Sequence, residues 1–266
     1  MVKLNYKVIG EGEPLIILHG LYGSSDNWAG IARELQGQFK VYTIDLRNHG
    51  RSPHNNEHNY EVMADDLLNL MNEKDIYSAN LLGHSMGGKV VLSFALFNPE
   101  RVKRLIVVDI SPRTYQEKLG DKQINEHKQI LTSIKSIDIE KLESREEADG
   151  LLAKNISNVR IRSFLLKNLY RNKDREFQWR LNIDVLLANL NHVLLGFENY
   201  FADFAALNSP ILFIKGGASD YIQSQDIELI NNTFKRATVK TILDASHWVH
   251  AEKPDEFIRL VKEFCT

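Results

Sequence analysis

The sequence predicts an α/β fold with a mostly parallel central sheet, helices on both faces of the sheet and one helical insertion. Short apolar runs alternate with segments of helical periodicity, which is the pattern of parallel strands joined by crossover helices. This alternation stops after residue 112 and resumes near residue 207. We therefore expect an α/β core made of residues 1–112 and 207–266, interrupted by an insertion that spans residues 113–206.

The predicted strands are short segments rich in apolar residues. Lys3–Ile9 alternates polar and apolar residues, as an edge strand does, whereas Pro14–Leu18 is continuously apolar, as a strand buried on both faces is. The remaining strands are predicted at Lys40–Ile44, Ala79–Leu82, Arg104–Val108, Pro210–Ile214 and Ala237–Leu243.

The helices of the core are predicted from apolar residues at helical spacing and from start and stop signals. Asn98-Pro99 ends one of them, because the residue before a proline disfavours the helical conformation, and Pro254 suits the first turn of another. The predicted core helices are Trp28–Leu35, Tyr60–Met71, Lys89–Phe97 and Pro254–Phe264.

The insertion is predicted to be helical, with no buried strand. Ser144 and Glu147 have the spacing of a capping box at a helix start, and Val159–Leu169 carries apolar residues at helical spacing. A connection this long is not an ordinary loop. Because insertions between parallel strands lie over the carboxyl ends where ligands bind, we predict that this segment is a lid.

Residues 83–87 read Gly-His-Ser-Met-Gly and lie between a predicted strand and a predicted helix. In this context the pattern G-x-S-x-G is typical of a sharp turn that presents a nucleophilic serine. The flanking glycines permit the turn, because a Cβ at either position would collide with neighbouring backbone. The sequence therefore predicts Ser85 as a nucleophile.

A serine hydroxyl needs a base and an orienting carboxylate to become reactive. Among nine histidines, His247 lies in a short loop between a late strand and the last helix, where the order nucleophile, acid, histidine places the base. Two aspartates satisfy the order for the acid. Asp109 ends one predicted strand and Asp220 follows another, so the residues alone leave both open.

Attack on an acyl carbonyl also needs two donors for the developing oxyanion. The backbone N–H of Met86, directly after the nucleophile, is one candidate, and the N–H of Leu21 in the loop after the second strand is the other.

We do not assign a catalytic role to several other side chains near the predicted site. Trp248 and His84 are candidates for substrate binding, and Lys89 is expected to form an ion pair near the turn. We expect His127 and His192 to be surface or packing residues.

Composition narrows the functional class. A formal net charge of −2 argues against a nucleic-acid partner. The histidines His49, His54 and His58 have loose spacing and no acidic or cysteine companions, so we predict no metal site, and the chemistry requires no cofactor.

The sequence also leads us to expect a cytoplasmic protein. Its single cysteine, Cys265, can form no intrachain disulfide, which fits a reducing compartment. The first residues have no apolar signal-peptide core, and no stretch approaches the roughly 18 apolar residues of a membrane span.

Longer stretches of the chain resemble the α/β-hydrolase superfamily. The specific marks are Arg-Asn-His-Gly-Arg-Ser at 47–52 and the lysine of Gly-Gly-Lys at 87–89, and the inserted segment 162–168 also looks similar. With these marks the chain resembles the YbfF-type bacterial esterases and the related eukaryotic abhydrolase-domain proteins. The matching stretches are residues 18–28, 45–54, 83–89, 107–112, 216–217 and 247–254.

This resemblance implies an activity and favours one of the two acids. In such esterases the catalytic aspartate follows the strand after the helix that begins at the predicted nucleophile, which is Asp109 here. Asp220 stands where most hydrolases of this fold carry the acid. The implied activity is hydrolysis of small-molecule carboxylic esters, with acyl-CoA thioesters as a further substrate class.

We therefore predict a serine esterase that works through a Ser-His-Asp triad and an acyl-enzyme. The alternatives are another reaction on the same fold, namely a lyase, a perhydrolase or an acyltransferase, and a ligand-binding homologue without catalysis.

Overall fold

The centre of the molecule is a sheet of seven strands. The computed structural model describes residues 1–115 and 120–266. Its strands are β1 (Tyr6–Ile9), β2 (Glu13–Leu18), β3 (Phe39–Ile44), β4 (Ala79–His84), β5 (Val102–Val108), β6 (Leu169–Arg171), β7 (Phe177–Trp179), β8 (Ile211–Gly216) and β9 (Ala237–Ile242). The seven-stranded sheet has the order β1-β3-β2-β4-β5-β8-β9. Only β1 is antiparallel to its neighbour, so the predicted mostly parallel sheet is confirmed. The edge strand predicted at Lys3–Ile9 is present but begins at Tyr6.

Helices cover both faces of this sheet. They are α1 (Ala29–Leu35), α2 (Tyr60–Glu73), α3 (Met86–Phe97), α4 (Gly120–Lys135), α5 (Arg145–Ala153), α6 (Val159–Leu166), α7 (Ile183–Ala188), α8 (Leu190–Leu194), α9 (Phe201–Phe204), α10 (Ser224–Thr233), α11 (Val249–Glu252) and α12 (Pro254–Cys265). The core includes α10 and α11, which the sequence did not predict. None of the helices in the described residues has both the length and the apolar character needed to cross a membrane.

Strand β2 shows why the central strands are continuously apolar. Successive side chains point to opposite faces of a strand. Leu15 and Ile17 pack in the cluster that contains α1 and α12, while Ile16 and Leu18 pack in the cluster that contains α2 and α3. All four side chains are fully buried, and burying each contributes about 1.5–3 kcal/mol.

The turn from β4 into α3 is sterically constrained. A Cβ on Gly83 would overlap the carbonyl oxygen of Gly87, and one on Gly87 would lie 2.6 Å from the carbonyl oxygens of Leu18 and His19. Between these glycines Ser85 has φ 53° and ψ −119°, a backbone conformation that a residue with a side chain rarely adopts. The strand, sharp turn and helix predicted around residues 83–87 are therefore present.

Residues 113–206, which we call the insert, contribute no strand to the seven-stranded sheet in their described part. The prediction that the insert contains only helices is wrong, because β6 and β7 form an antiparallel hairpin. The side chain of Asn172 closes the turn by accepting from the N–H groups of Asp174 and Glu176, each at 2.9 Å. Strands of three residues are too short to show an alternating pattern, so the hairpin left no signal in the sequence.

Two predicted helix boundaries in the insert also change. Helix α6 ends at Leu166 rather than at residue 169, which instead begins β6. Ser144 begins α5 by accepting from the N–H of Glu147 at 3.0 Å, but the Glu147 carboxylate accepts from the N–H of Glu143 and not from that of Ser144. The capping box is therefore half formed.

The Gly83–Gly87 contact can be tested by a substitution. Gly83→Ala should force the turn open and lower the free energy of unfolding by about 3 kcal/mol or more, measured by urea denaturation. The matched control is Gly150→Ala in α5, where an added Cβ meets no atom within 4 Å; it should stabilise the protein by about 0.5–1 kcal/mol. Similar small effects of the two substitutions would contradict the steric account.

Candidate active site

Ser85 lies in the wall of a cavity of about 330 Å³ at the carboxyl edge of the sheet. This volume is in the range of ligand pockets. The side chain of Ser85 is half-buried, and the cavity walls come from both the core and the insert. The larger apolar side chains in these walls are Leu21, Trp28, Ile130, Ile161, Phe164 and Trp248.

His247 lines the same cavity and is held by Asp109. Its Nδ1 donates to Oδ2 of Asp109 at 2.8 Å. Asp109 is fully buried and also accepts from the N–H of Gly216 at 2.9 Å and from the hydroxyl of Ser219. Since Nδ1 carries the proton in this bond, Nε2 is the basic nitrogen of the neutral ring.

The two candidate acids differ in their surroundings. Asp109 lies at the end of β5 with φ 49°, a left-handed conformation that turns its carboxylate toward His247. Asp220 also lines the cavity, but it is exposed, and its carboxylate forms no hydrogen bond or ion pair with the described residues. The structure thus brings Asp109, and not Asp220, against the histidine.

Ser85 and His247 share the cavity without a direct hydrogen bond between Ser85 Oγ and the imidazole in the described part of the chain. In free enzymes such bonds are often long and shorten only when substrate binds. The absence of this bond therefore does not argue against the predicted roles of Ser85 and His247.

The two predicted oxyanion donors lie beside Ser85. Met86 is the first residue of α3, so its N–H has no partner within the helix. Leu21 follows Gly20, and a Cβ on Gly20 would lie 3.1 Å from Cβ of Ser85. The loop that carries Leu21 is therefore packed directly against Ser85, and a side chain larger than that of glycine at position 20 would make a tight contact with Ser85.

Aromatic and imidazole rings pack around the loop that carries His247. His84 donates from Nε2 to the backbone carbonyl of His247 at 2.8 Å, and burial lowers the pKa of His84 well below its ordinary value, so its ring is neutral. His250 packs edge-on against His84 and stacks on Trp28 at 4.0 Å. Tyr221 stacks on the His247 ring itself at 3.9 Å. His84 thus lines the cavity and also holds the backbone of His247, the predicted base. Sequence reasoning missed Tyr221.

His19 braces the loop that precedes Leu21. Its Nε2 accepts from the N–H of Leu46 at 3.0 Å, which leaves Nδ1 to donate to the carbonyl of Gly20 at 2.8 Å. Asp45, directly before Leu46, accepts from the N–H of Ser25 at 2.6 Å. These bonds tie the loop after β2 to the loop after β3.

His127 corrects one expectation. The sequence suggested a surface or packing residue, whereas His127 on α4 lines the cavity with Nδ1 at 3.1 Å from the hydroxyl of Tyr22. Burial lowers the pKa of His127 to about 4, so the ring is neutral at neutral pH. Its helix carries no motif, so no sequence signal identified it. His192 is exposed, as expected.

The expectation that Lys89 forms an ion pair is wrong. Lys89 is buried and forms no ion pair with the described residues. Its Nζ donates to the carbonyl of Arg113 at 3.0 Å and to that of Leu195, and it lies over the rings of Tyr115 and Tyr60. These two carbonyls belong to the first and last parts of the insert, so Lys89 ties both ends of the insert to α3.

Trp248 lies where a substrate-binding residue was predicted. It lines the cavity next to His247, and its ring packs on Phe164 of the insert with centroids 5.7 Å apart. Across the residues that the structure describes, no group of three His, Cys, Asp or Glu side chains is placed to hold a metal ion.

The family comparison gives the same fold class as the structure. The family described as alpha/beta hydrolase fold matches residues 13–254, and the chain belongs to it. An esterase from a marine microorganism, known as a solved structure, is 43% identical; it matches with a TM-score of 0.93 and covers 99% of this chain and 100% of that one.

Relatives of similar length carry esterase and lipase names. The sn-1-specific diacylglycerol lipase ABHD11 of Danio rerio is 39% identical over 99% of this chain and 82% of the relative. Esterase YbfF of Escherichia coli K12 is 32% identical over 94% of this chain and 92% of the relative. The predicted resemblance is confirmed, and membership of this family indicates a hydrolase of the esterase/lipase type.

The buried Lys89 should make stability depend on pH. Burial lowers its pKa from 10.5 to about 7, so between these values the unfolded chain holds a proton that the folded chain has released. Stability therefore rises with pH in this window, by at most about 1.4 kcal/mol per pH unit. Lys89→Met should remove this slope in urea denaturation curves recorded from pH 7 to 9.5.

The control for this measurement is Lys235→Met at an exposed position, which should keep the wild-type slope. Parallel pH dependences for wild type and Lys89→Met would show that Lys89 is protonated in the folded protein and would contradict the account.

Proposed function

We propose that the protein is a serine esterase in which Ser85, His247 and Asp109 act as a catalytic triad. The observation that carries the proposal is the 2.8 Å bond from His247 Nδ1 to the buried Asp109, in the wall of the cavity that also holds Ser85. A buried carboxylate on Nδ1 holds the ring in the tautomer that can accept a proton from serine, and it stabilises the imidazolium that forms.

Acylation begins when an ester carbonyl lies in the cavity against Ser85. Nε2 of His247 takes the hydroxyl proton while Oγ bonds to the carbonyl carbon, and the carbonyl oxygen becomes an oxyanion. The N–H groups of Leu21 and Met86 donate to this oxyanion. When the tetrahedral intermediate collapses, His247 gives its proton to the leaving alcohol, and the acyl group stays on Ser85.

Deacylation repeats these steps with water. Nε2 of His247 takes a proton from the water as its oxygen bonds to the acyl carbon. The second tetrahedral intermediate then expels Oγ of Ser85, which regains its proton from His247, and the carboxylic acid leaves. No cofactor enters the reaction.

We also propose that residues 113–206 act as a lid over a core of residues 1–112 and 207–266. Ile130, Ile161 and Phe164 of the insert line the cavity, so the insert contributes to specificity for the acyl group. Trp248 and His84 contribute further cavity surface and would contact the substrate.

The substrate class follows from the cavity and the relatives. Apolar walls and a volume of about 330 Å³ favour esters of short- to medium-chain acids. Relatives named as an esterase and as a diacylglycerol lipase support carboxylic esters as the class. Acyl-CoA thioesters are the second candidate substrates, since the same acyl-enzyme forms when a thiol leaves.

The central test is hydrolysis of p-nitrophenyl esters from acetate to palmitate. Ser85→Ala should lower kcat at least about 10⁴-fold, because the nucleophile is gone, while circular dichroism shows an intact fold. The matched control is Ser93→Ala in the same helix α3. It removes a buried hydroxyl that has no hydrogen-bond partner among the described residues, and it should leave kcat unchanged.

Full activity of Ser85→Ala would contradict the mechanism. If the wild type cleaves neither esters nor thioesters, the esterase proposal fails, and lyase, perhydrolase or acyltransfer chemistry or simple ligand binding takes its place.

The two aspartates give a second test. Asp109→Asn should lower kcat by about 10³- to 10⁴-fold, because an amide at this position donates to Nδ1 and leaves the proton on Nε2, where no proton can be accepted. Asp220→Asn should change kcat by less than about threefold, since its carboxylate holds no partner among the described residues. Steady-state kinetics would decide, and a severe loss only in Asp220→Asn would reverse the assignment.

A further inference from the structure

The loop beside the nucleophile contains a strained residue. The N–H of Gly23 donates to the carbonyl of Gly20 at 2.9 Å and closes a four-residue turn with Leu21 and Tyr22 at its centre. Tyr22 has φ 65°, as the third position of a type II turn requires. Glycine or asparagine usually occupies that position, and a bulky residue keeps this strained conformation only when its surroundings hold it there.

The contacts that hold Tyr22 come from the insert. Nδ2 of Asn168 donates to the backbone carbonyl of Tyr22 at 2.8 Å across 146 residues of sequence, and Asn168 is buried. The Tyr22 hydroxyl bonds to His127 at 3.1 Å. Both partners lie outside the α/β core, so the strained turn of the core depends on two side chains of the insert.

Asn168 itself is firmly placed. It follows α6, and its Nδ2 also donates to the carbonyl of Leu165 at 3.2 Å. Helix α6 is fastened by Arg162, which pairs with Asp149 at 2.8 Å and donates to the carbonyl of Ile156 at 2.8 Å. The segment 162–168 was noted in the sequence for its resemblance to the family. These contacts hold it in place, so that Asn168 can donate to the core.

We propose that the insert positions the oxyanion hole, with Asn168 as the positioning residue. This inference rests on the proposed function, in which the N–H of Leu21 stabilises the oxyanion. If the carbonyl of Tyr22 loses its donor, the turn at residues 20–23 is no longer held with Tyr22 at positive φ, and its backbone can relax. The Leu21 N–H belongs to the same short turn, so a shift of the turn moves this N–H away from the place where the oxyanion forms.

A second contact between insert and core supplies a matched control. Nδ2 of Asn182 donates to Oδ1 of Asn48 at 3.0 Å. This bond also joins an asparagine of the insert to the core, but it ends in a different loop from the turn at residues 20–23. Asn182→Ala therefore weakens docking of the insert to a similar degree and leaves the Leu21 amide in place.

The experiment compares Asn168→Ala with Asn182→Ala on the p-nitrophenyl ester that the wild type cleaves best. It also measures inhibition by a trifluoromethyl ketone of the same acyl chain, whose adduct with Ser85 carries an oxyanion. We expect Asn168→Ala to lower kcat by about 10- to 100-fold with KM changed less than about threefold. The inhibition constant should rise in proportion to the loss of kcat/KM, and Asn182→Ala should match the wild type in all three quantities.

Tyr22→Phe is the milder second variant in case Asn168→Ala folds poorly. It removes only the bond to His127 and should show the same pattern with a smaller loss, about 2- to 10-fold in kcat. A merely structural role would lower the amount of active enzyme and leave the inhibition constant unchanged.

The inference is overturned if Asn168→Ala raises KM at constant kcat, leaves the inhibition constant unchanged, or matches Asn182→Ala. In those cases the wild type still shows turnover that depends on Ser85. Absence of such turnover in the wild type would instead overturn the proposed function, and this inference with it.

Discussion

The close approach of Gly83 to Gly87 is the contact on which the rest of the site depends. No Cβ fits between them, and at this close approach β4 passes into α3 through Ser85, which has a positive φ of 53°. In the same turn Met86 is the first residue of the helix, so its N–H has no partner within the helix, and Gly87 packs against the carbonyl of Leu18 at the end of β2. This packing contact therefore places the proposed nucleophile and one proposed oxyanion donor next to the strand that leads to the second proposed donor.

Hydrogen bonds across the carboxyl edge of the parallel sheet complete this arrangement. Asp109 lies at the end of β5 and accepts from the N–H of Gly216 at the end of β8. This second bond helps to orient the carboxylate that accepts from His247. Side chains of both parts join the insert to the core. Lys89 of the core donates to two carbonyls of the insert, and Asn168 of the insert donates to a carbonyl of the core. The insert therefore contacts the core beside the candidate site.

Local patterns predicted most of this architecture. The apolar runs gave the strands, and glycine spacing together with chain order gave Ser85 and His247 as candidates. Residue patterns could not separate Asp109 from Asp220, because both follow strands that end at the same edge of the sheet. Lys89 and Asn168 escaped prediction because their partners lie 106 and 146 residues away in sequence. A buried lysine that donates only to carbonyls has no charged partner that a sequence pattern could show. An asparagine directly after a helix is indistinguishable in sequence from an ordinary helix cap.

The account makes Ser85 a nucleophile that forms a covalent bond with its substrate. The most direct measurement is peptide mass spectrometry of the folded protein after treatment with a fluorophosphonate. We predict a single phosphonyl adduct on the peptide that contains Ser85, and no adduct when the protein is unfolded before treatment, since activation requires the folded arrangement of His247 and Asp109. An unmodified Ser85 in folded protein, or modification of a different serine, would contradict the account.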